Sequence, residues 1–256
     1  MNRITKIVKT FETIAKPHKN MEKQNEIMEL LKEFNPKHIE GMGIVLSNIT
    51  KGTRKNLKVV VSHFDLVNTF EKGFEEGRTL EFTEDGVVNG ALDNTITNAV
   101  LINELLKNGL PENTIILFSD GEETGMWGMR RFIMNMEEHM QRMFFINLDV
   151  TNDNWEYMTS IEYDKPNKEI SKMIDNNITA GFTTDRFADD MSPVISAGGD
   201  GFSYCLPTKE YCHTYHSNTT IEHLLEYEKG LTYLVQKLDI QNKEPDGSVY
   251  VNSKIA

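Results

Sequence analysis

Thr114-Ile-Ile-Leu-Phe-Ser-Asp-Gly-Glu-Glu123 is the stretch on which the fold turns. Its first part, uncharged and rich in β-branched and aromatic side chains, reads as a strand buried on both faces. It ends abruptly in acids. A second run of this kind, Leu57-Lys-Val-Val-Val-Ser62, leads into His63-Phe64-Asp65, and a third, Met143-Phe-Phe-Ile-Asn-Leu148, leads into Asp149. Helical patterns lie between them. Ala99, Leu101, Ile102, Leu105 and Leu106 share one face, with Asn108-Gly109 as the stop, and a further helix is expected around Met126 to Met136. Strand alternating with helix predicts an α/β fold, a three-layer α/β/α sandwich with a mixed, largely parallel central sheet. Chemistry in such sheets collects at the carboxyl ends of the strands.

Ile4, Val8, Phe11 and Ile14, then Ile27, Leu30 and Leu31, recur at helical spacing, so two helices open the domain. Gly43 to Ser47 reads as a strand, and Leu80 to Phe82 with Val87-Val88 as a hairpin broken at Glu84-Asp85-Gly86. Later come a strand over Tyr157 to Tyr163, a helix near Lys168 to Ile178 and a final helix from about Thr220 to Leu238. Ala197-Gly-Gly-Asp-Gly201 is expected to be a flexible cleft loop. The length suits one domain with a single core, residues 1–241, followed by a loose polar tail, 242–256.

A formal charge of −12 excludes the basic footprint of a nucleic-acid binder. Cys205 and Cys212 are the only cysteines, so no disulfide framework exists and two free or buried thiols are expected. Charges interrupt the first residues, which lack a secretory pattern, and no apolar segment is long enough to span a bilayer. The expectation is a cytoplasmic enzyme with no membrane partner. The 13 methionines read as core filler, and His18, His139 and His223 as solvent-facing.

Five segments carry groups suited to metal or acid–base chemistry. His63 leaves its strand at the carboxyl end, and Asp65, two residues on, shares its face and can fix the ring's tautomer. A surface histidine beside an unrelated acid is the plain alternative. Asp93 opens the next helix, as an N-cap or as a carboxylate bridging two metals. Glu122 and Glu123 occupy a strand-to-helix turn, either as acids favoured by the helix dipole or as a base beside a ligand. Asp149 ends the third strand at the same edge. His216 and His213 precede the last helix, and spacing does not separate them as ligands.

The order His-x-Asp, Asp-Asn, Glu-Glu-x-Gly-x-x-Gly, Asp and Tyr-His-Ser resembles the co-catalytic dizinc aminopeptidases, a family that includes bacterial leucyl aminopeptidases and glutamate carboxypeptidase-like enzymes. The likeness runs over about residues 57 to 238. It implies that His63 and Asp149 bind one zinc ion, Glu123 and His216 the other, and that Asp93 bridges them next to a cis peptide to Asn94. It favours His216 over His213. Glu122 would be the general base, Asp65 the group orienting His63, and a metal-bridging hydroxide the nucleophile. Mn²⁺ or Co²⁺ could substitute for the two Zn²⁺. One departure stands out: Asp189-Asp190-Met191-Ser192 replaces a Ser-Asp-His seen in many relatives.

The sequence lacks His-Glu-x-x-His and Gly-x-Ser-x-Gly, and His38-Ile39-Glu40 has no Pro-Cys-x-x-Cys to complete a deaminase site. The expected function is a metal-dependent exopeptidase, foremost an aminopeptidase acting on a peptide or small amide. A carboxypeptidase or amide deacylase on the same site is the alternative, and a non-catalytic relative the second. Without the inserted dimerisation domain of longer relatives, a monomer or small homo-oligomer is expected.

Overall fold

The apolar runs that end in acids lie side by side. In the computed structural model, which describes residues 3–16, 20–50, 56–66, 79–162, 176–183, 189–214, 217–238, 240–243 and 249–251, they form the middle of an eight-stranded sheet. In chain order its strands are β1 (Lys37–Ile39), β2 (Gly43–Asn48), β3 (Leu57–His63), β6 (Thr114–Ser119), β7 (Met143–Thr151), β8 (Thr159–Glu162), β9 (Ala180–Thr183) and β10 (Asp200–Pro207). Their spatial order is β1-β2-β6-β3-β7-β10-β8-β9. The four central strands β6, β3, β7 and β10 run parallel, so their carboxyl ends share one edge.

Alternation along the strands builds the layers. Val60, Ile116 and Ile146 point to a large cluster under α1 (Arg3–Ile14), α2 (Asn20–Leu30), α3 (Thr95–Asn108) and α6 (Ile221–Thr232). Val59, Val61, Leu117 and Phe145 point the other way, to a cluster under α4 (Trp127–Met136) and α5 (Met191–Ser196). Phe145 meets Phe132 of α4 edge-on, with ring centroids 6.2 Å apart. The expected three-layer sandwich is the observed one.

A second, three-stranded sheet joins β4 (Glu81–Phe82), β5 (Val87–Asn89) and β11 (Asn218–Thr220), with β5 in the middle. It binds the segment before Asp93 to the segment after His213.

Three expectations are corrected here. Ala197–Gly201 is not a cleft loop: it turns into β10, at the amino end of the sheet away from the strand ends that carry the acids. A Cβ on Gly201 would lie 2.1 Å from the Phe145 carbonyl oxygen, so close strand approach explains that glycine. His223 is buried rather than solvent-facing. Its ring stacks on Trp155 at 4.6 Å and its Nδ1 lies 2.6 Å from Thr220 Oγ1, which also caps α6 by accepting from the His223 backbone N–H. Within the tail, Ile240–Lys243 (β12) and Val249–Val251 (β13) pair as an antiparallel ribbon, the β-branched Val-Tyr-Val run supplying strand propensity. The helix expected over Lys168 to Ile178 falls mostly on 163–175, outside the described residues, as does His18.

Candidate metal centre

His63 closes β3 with only 2% of its surface exposed. Its Nδ1 lies 3.3 Å from the Asp65 carbonyl oxygen and 3.5 Å from Asp65 Oδ1, which leaves Nε2 facing the cleft. Asp65 has a second task that sequence reasoning missed. Its two carboxylate oxygens accept the backbone N–H groups of Glu122 and Glu123, each at 3.1 Å. One acid thus orients the histidine and pins the Glu-Glu turn.

That turn needs its glycines. Gly121 has φ +72, and a Cβ on Gly128 would stand 2.4 Å from the Met42 carbonyl oxygen. Since α4 starts only at Trp127, Glu122 and Glu123 precede the helix rather than occupy its first turn.

Asp93 does not cap α3. Asn94 holds the cap position with no side-chain cap bond, and the Asp93–Asn94 peptide is cis, as the resemblance implied. Three polar contacts weld this corner to the sheet. Asn94 Nδ2 donates to the Leu148 carbonyl at 2.6 Å, Asn98 Nδ2 to the His63 carbonyl at 2.8 Å, and the Ser62 and Thr97 hydroxyls meet at 3.1 Å.

The two oxygens of Asp93 face different partners. Oδ1 lies 3.1 Å from His63 Nε2, which is itself 3.7 Å from Asp149 Oδ1. Oδ2 lies 3.3 Å from His213 Nε2, which is 3.6 Å from Glu123 Oε2. Glu122 Oε2 stands 4.0 Å from His63 Nε2. His63, Asp93 and Asp149 form one group whose donor atoms all lie within 4.8 Å of one another; Asp93, Cys212 and His213 form a second, and His63, Glu122 and Glu123 a third. Tyr215 and His216 lie outside the described residues, and His213 is the histidine this structure brings to Asp93 and Glu123. Cys212, free like Cys205, is a neighbour the sequence did not suggest.

Lys23 of α2, fully buried, donates to Thr95 Oγ1 at 2.8 Å. Burial pulls its pKa down to about 7 against the attraction of Asp65, Asp93 and Glu123. No pattern in its polar helix marked it.

The acids repel one another. Burial, then Asp149 and Asp190 nearby, push Glu122 up to about 9, while burial and Asp93 push Glu123 up to about 7. Burial also raises Asp149. Burial opposes charge on His63, but Asp149, Asp65 and Asp93 outweigh it and hold its pKa well above the usual histidine value. Asp93 raises His213 to about 11. These shifts describe a cluster short of positive charge.

A divalent cation fits that deficit. Asp93 Oδ1 is buried without an aligned hydrogen bond, the donors are imidazole and carboxylate, and they converge from several strand ends. A cavity of about 480 Å³ opens onto the cluster and extends past Asp149 to Glu162, Asp189 and Cys205.

Comparison with known proteins agrees with this geometry. The sequence model of peptidase family M28 matches residues 45–227. The chain belongs to peptidase family M28. No curated protein sequence matches it significantly. Among solved structures, this M28 chain is similar to aminopeptidase APDkam598 from the archaeon Desulfurococcus kamchatkensis, with TM-score 0.69 and 11% identity over 92% of this chain and 96% of that one. It is similar to the TET1 peptidase of Pyrococcus horikoshii, which can assemble into a tetrahedron or a large octahedral shell (TM-score 0.63, 12% identity, 86% and 94% covered). BSAP, a zinc aminopeptidase from Bacillus subtilis, matches with TM-score 0.54 and 18% identity over 76% of this chain and 50% of its own. At such identities the likeness establishes the fold. Among the described residues no helix is long and apolar enough to cross a membrane.

Proposed function

We propose that this M28 chain is an aminopeptidase that uses two zinc ions. The observation that carries the reading is the division of Asp93, one oxygen toward His63 and Asp149, the other toward His213 and Glu123. His63 and Asp149 would hold one ion, Glu123 and His213 the other, with Asp93 shared. His216, favoured by the resemblance, is the alternative to His213. Metal content of His213→Ala and His216→Ala decides between them, since only loss of the true ligand lowers the zinc count. Mn²⁺ or Co²⁺ would suit the same donors.

The chemistry that bound zinc supplies there is polarisation of the scissile carbonyl and acidification of water. The chain's own groups do the rest. Glu122 lines the cleft 4.0 Å from His63 Nε2; with bound cations offsetting the repulsion that raises its pKa, its carboxylate would take a proton from water and return it to the leaving nitrogen. Asp65 keeps His63 in the tautomer with Nε2 free and fixes both glutamates through their backbone N–H groups.

Cleft composition favours an aminopeptidase over a carboxypeptidase. Among the described residues lining the cavity none is lysine or arginine, whereas recognition of a terminal carboxylate calls for such a cation. An α-ammonium group suits these walls. The test is a panel of aminoacyl-anilides against their N-blocked analogues, with zinc and with chelator. Cleavage of the free-amine series alone, abolished by chelator, is expected. Cleavage of blocked substrates would move the assignment to a deacylase, and chelator-indifferent cleavage would end it.

A further inference from the structure

The cavity is longer than the metal centre requires. It continues across the face of the sheet, along residues that sit in register with the site. Asp149 of β7 pairs with Cys205 of β10, which pairs with Ser160 of β8. Two residues back along the strands, Asn147, Ser203 and Glu162 make the next rung on the same face. Asp189 covers this rung, its Oδ2 accepting from Asn147 Nδ2 at 3.1 Å and from the Ser203 hydroxyl, and its Oδ1 from the Met191 N–H at 2.9 Å.

Asp189 is therefore anchored through both oxygens, whereas Glu162, which the Thr151 hydroxyl and the Cys205 thiol reach, is anchored only in part. Glu162 is 8% exposed and lines the cavity, and its Oε1 is buried with no hydrogen-bond partner among the described residues. A carboxylate oxygen left so is costly unless something completes it. Asp153 adds a third acid to the lining.

We propose that this recess is a subsite for a basic side chain, lysine or arginine, on the amino-terminal residue of the substrate. Glu162 would be its specificity-determining group, with Asp189 and Asp153 adding to the field. Two strand spacings, about 10 Å, separate the backbones that carry Asp149 and Glu162. A lysine or arginine stem, extended from a scissile bond beside Asp149, reaches a carboxylate leaning in from the far strand. Val150, Thr151 and Cys205 give that stem a mostly apolar wall, and an ammonium or guanidinium at its tip would supply the missing donor. The electrostatics agree. Burial, then repulsion from Asp189, Asp149 and Asp153, push Glu162 up to about 8, and burial and Asp149 push Asp189 up to about 6. An incoming cation relieves both.

This proposal rests on the aminopeptidase reading, and two measurements keep their failures apart. First, kcat/KM is compared for lysyl-, arginyl-, norleucyl-, leucyl- and glutamyl-anilides, for the zinc-loaded wild type and for Glu162→Gln. The lysyl and arginyl substrates should lead norleucyl by about 10-fold or more, and Glu162→Gln should cut the lysyl-to-norleucyl ratio by about 10-fold. A wild type that prefers norleucyl or leucyl substrate overturns the subsite, as does a variant that slows every substrate by the same factor. Second, calorimetry on the zinc-loaded protein compares lysine amide with norleucine amide and needs no turnover. Tighter binding of lysine amide supports the subsite even if no anilide is cleaved, an outcome that would sink only the activity. Equal binding of the two overturns the subsite.

Discussion

At the amino end of β3, buried Lys58 gives its ammonium group to the carbonyl oxygens of Leu234, Val235 and Leu238, the first and last at 3.0 and 3.1 Å. At the carboxyl end of the same strand, His63 meets a crowd of acids with little counter-charge, and among the described residues Asp190 Oδ1 and Glu162 Oε1 are buried without hydrogen bonds. One strand thus joins two kinds of buried charge. Lys58 is matched by lone pairs that would otherwise be orphaned beyond α6, so its role is to hold that helix to the sheet. The acids near His63 outnumber the two histidines that face them among the described residues, which is the condition expected of groups that await a ligand.

The largest effect should come from Glu122→Gln. A general base contributes on the order of 10²- to 10⁴-fold, so kcat should fall within that range while zinc analysis stays at the wild-type count. Near-wild-type turnover with metal retained would remove Glu122 from the base role. The comparison sharpens further with pH. Glu123 and Glu122 have folded pKa values raised to about 7 and about 9, so each contributes stability below its ordinary value near 4.5 that is lost as pH climbs through the raised one. Metal-free protein should therefore lose thermal stability between about pH 5 and 7, below the range in which Lys23 changes charge. Zinc needs deprotonated ligands, so the loaded protein should gain over the same interval. Melting curves with and without zinc would show slopes of opposite sign, and parallel slopes would mean that the cluster is not the metal site. The smallest effect belongs to the matched end. Lys58→Met should cost about 1–3 kcal/mol in chemical unfolding and leave turnover per folded molecule unchanged. A change in kcat would break the division between the two ends.

Where the chain alternates strand and acid, sequence was enough to bring most of the candidate centre to one edge of the sheet. Runs ending at His63, Asp149 and the Glu122-Glu123 turn were readable because largely apolar stretches of β-branched and aromatic residues announce buried parallel strands, and the residue that ends each one has a determined edge. What stayed hidden depended on distant partners. β10 was masked by Gly198, Gly199 and Gly201, whose last member is there because the Phe145 carbonyl allows no side chain. Asp65 binds two N–H groups that are 57 and 58 residues further along the chain, which no local pattern reveals. His223 looked solvated among polar neighbours because Trp155, the ring beneath it, belongs to another loop. Glu162 and Asp189 come together only once β8 and β10 are paired.

The small sheet has a mechanical consequence. β11 pairs with β5, and the Gly90 N–H donates to the Ser217 carbonyl at 3.1 Å, so the strips of chain leading to Asp93 and away from His213 are zipped together. Asp65, by contrast, is riveted to the opposite wall through Glu122 and Glu123. Fraying the zipper would therefore free the strip that carries His213 from the Asp93 corner, which Asn94 and Asn98 keep fastened to the central sheet.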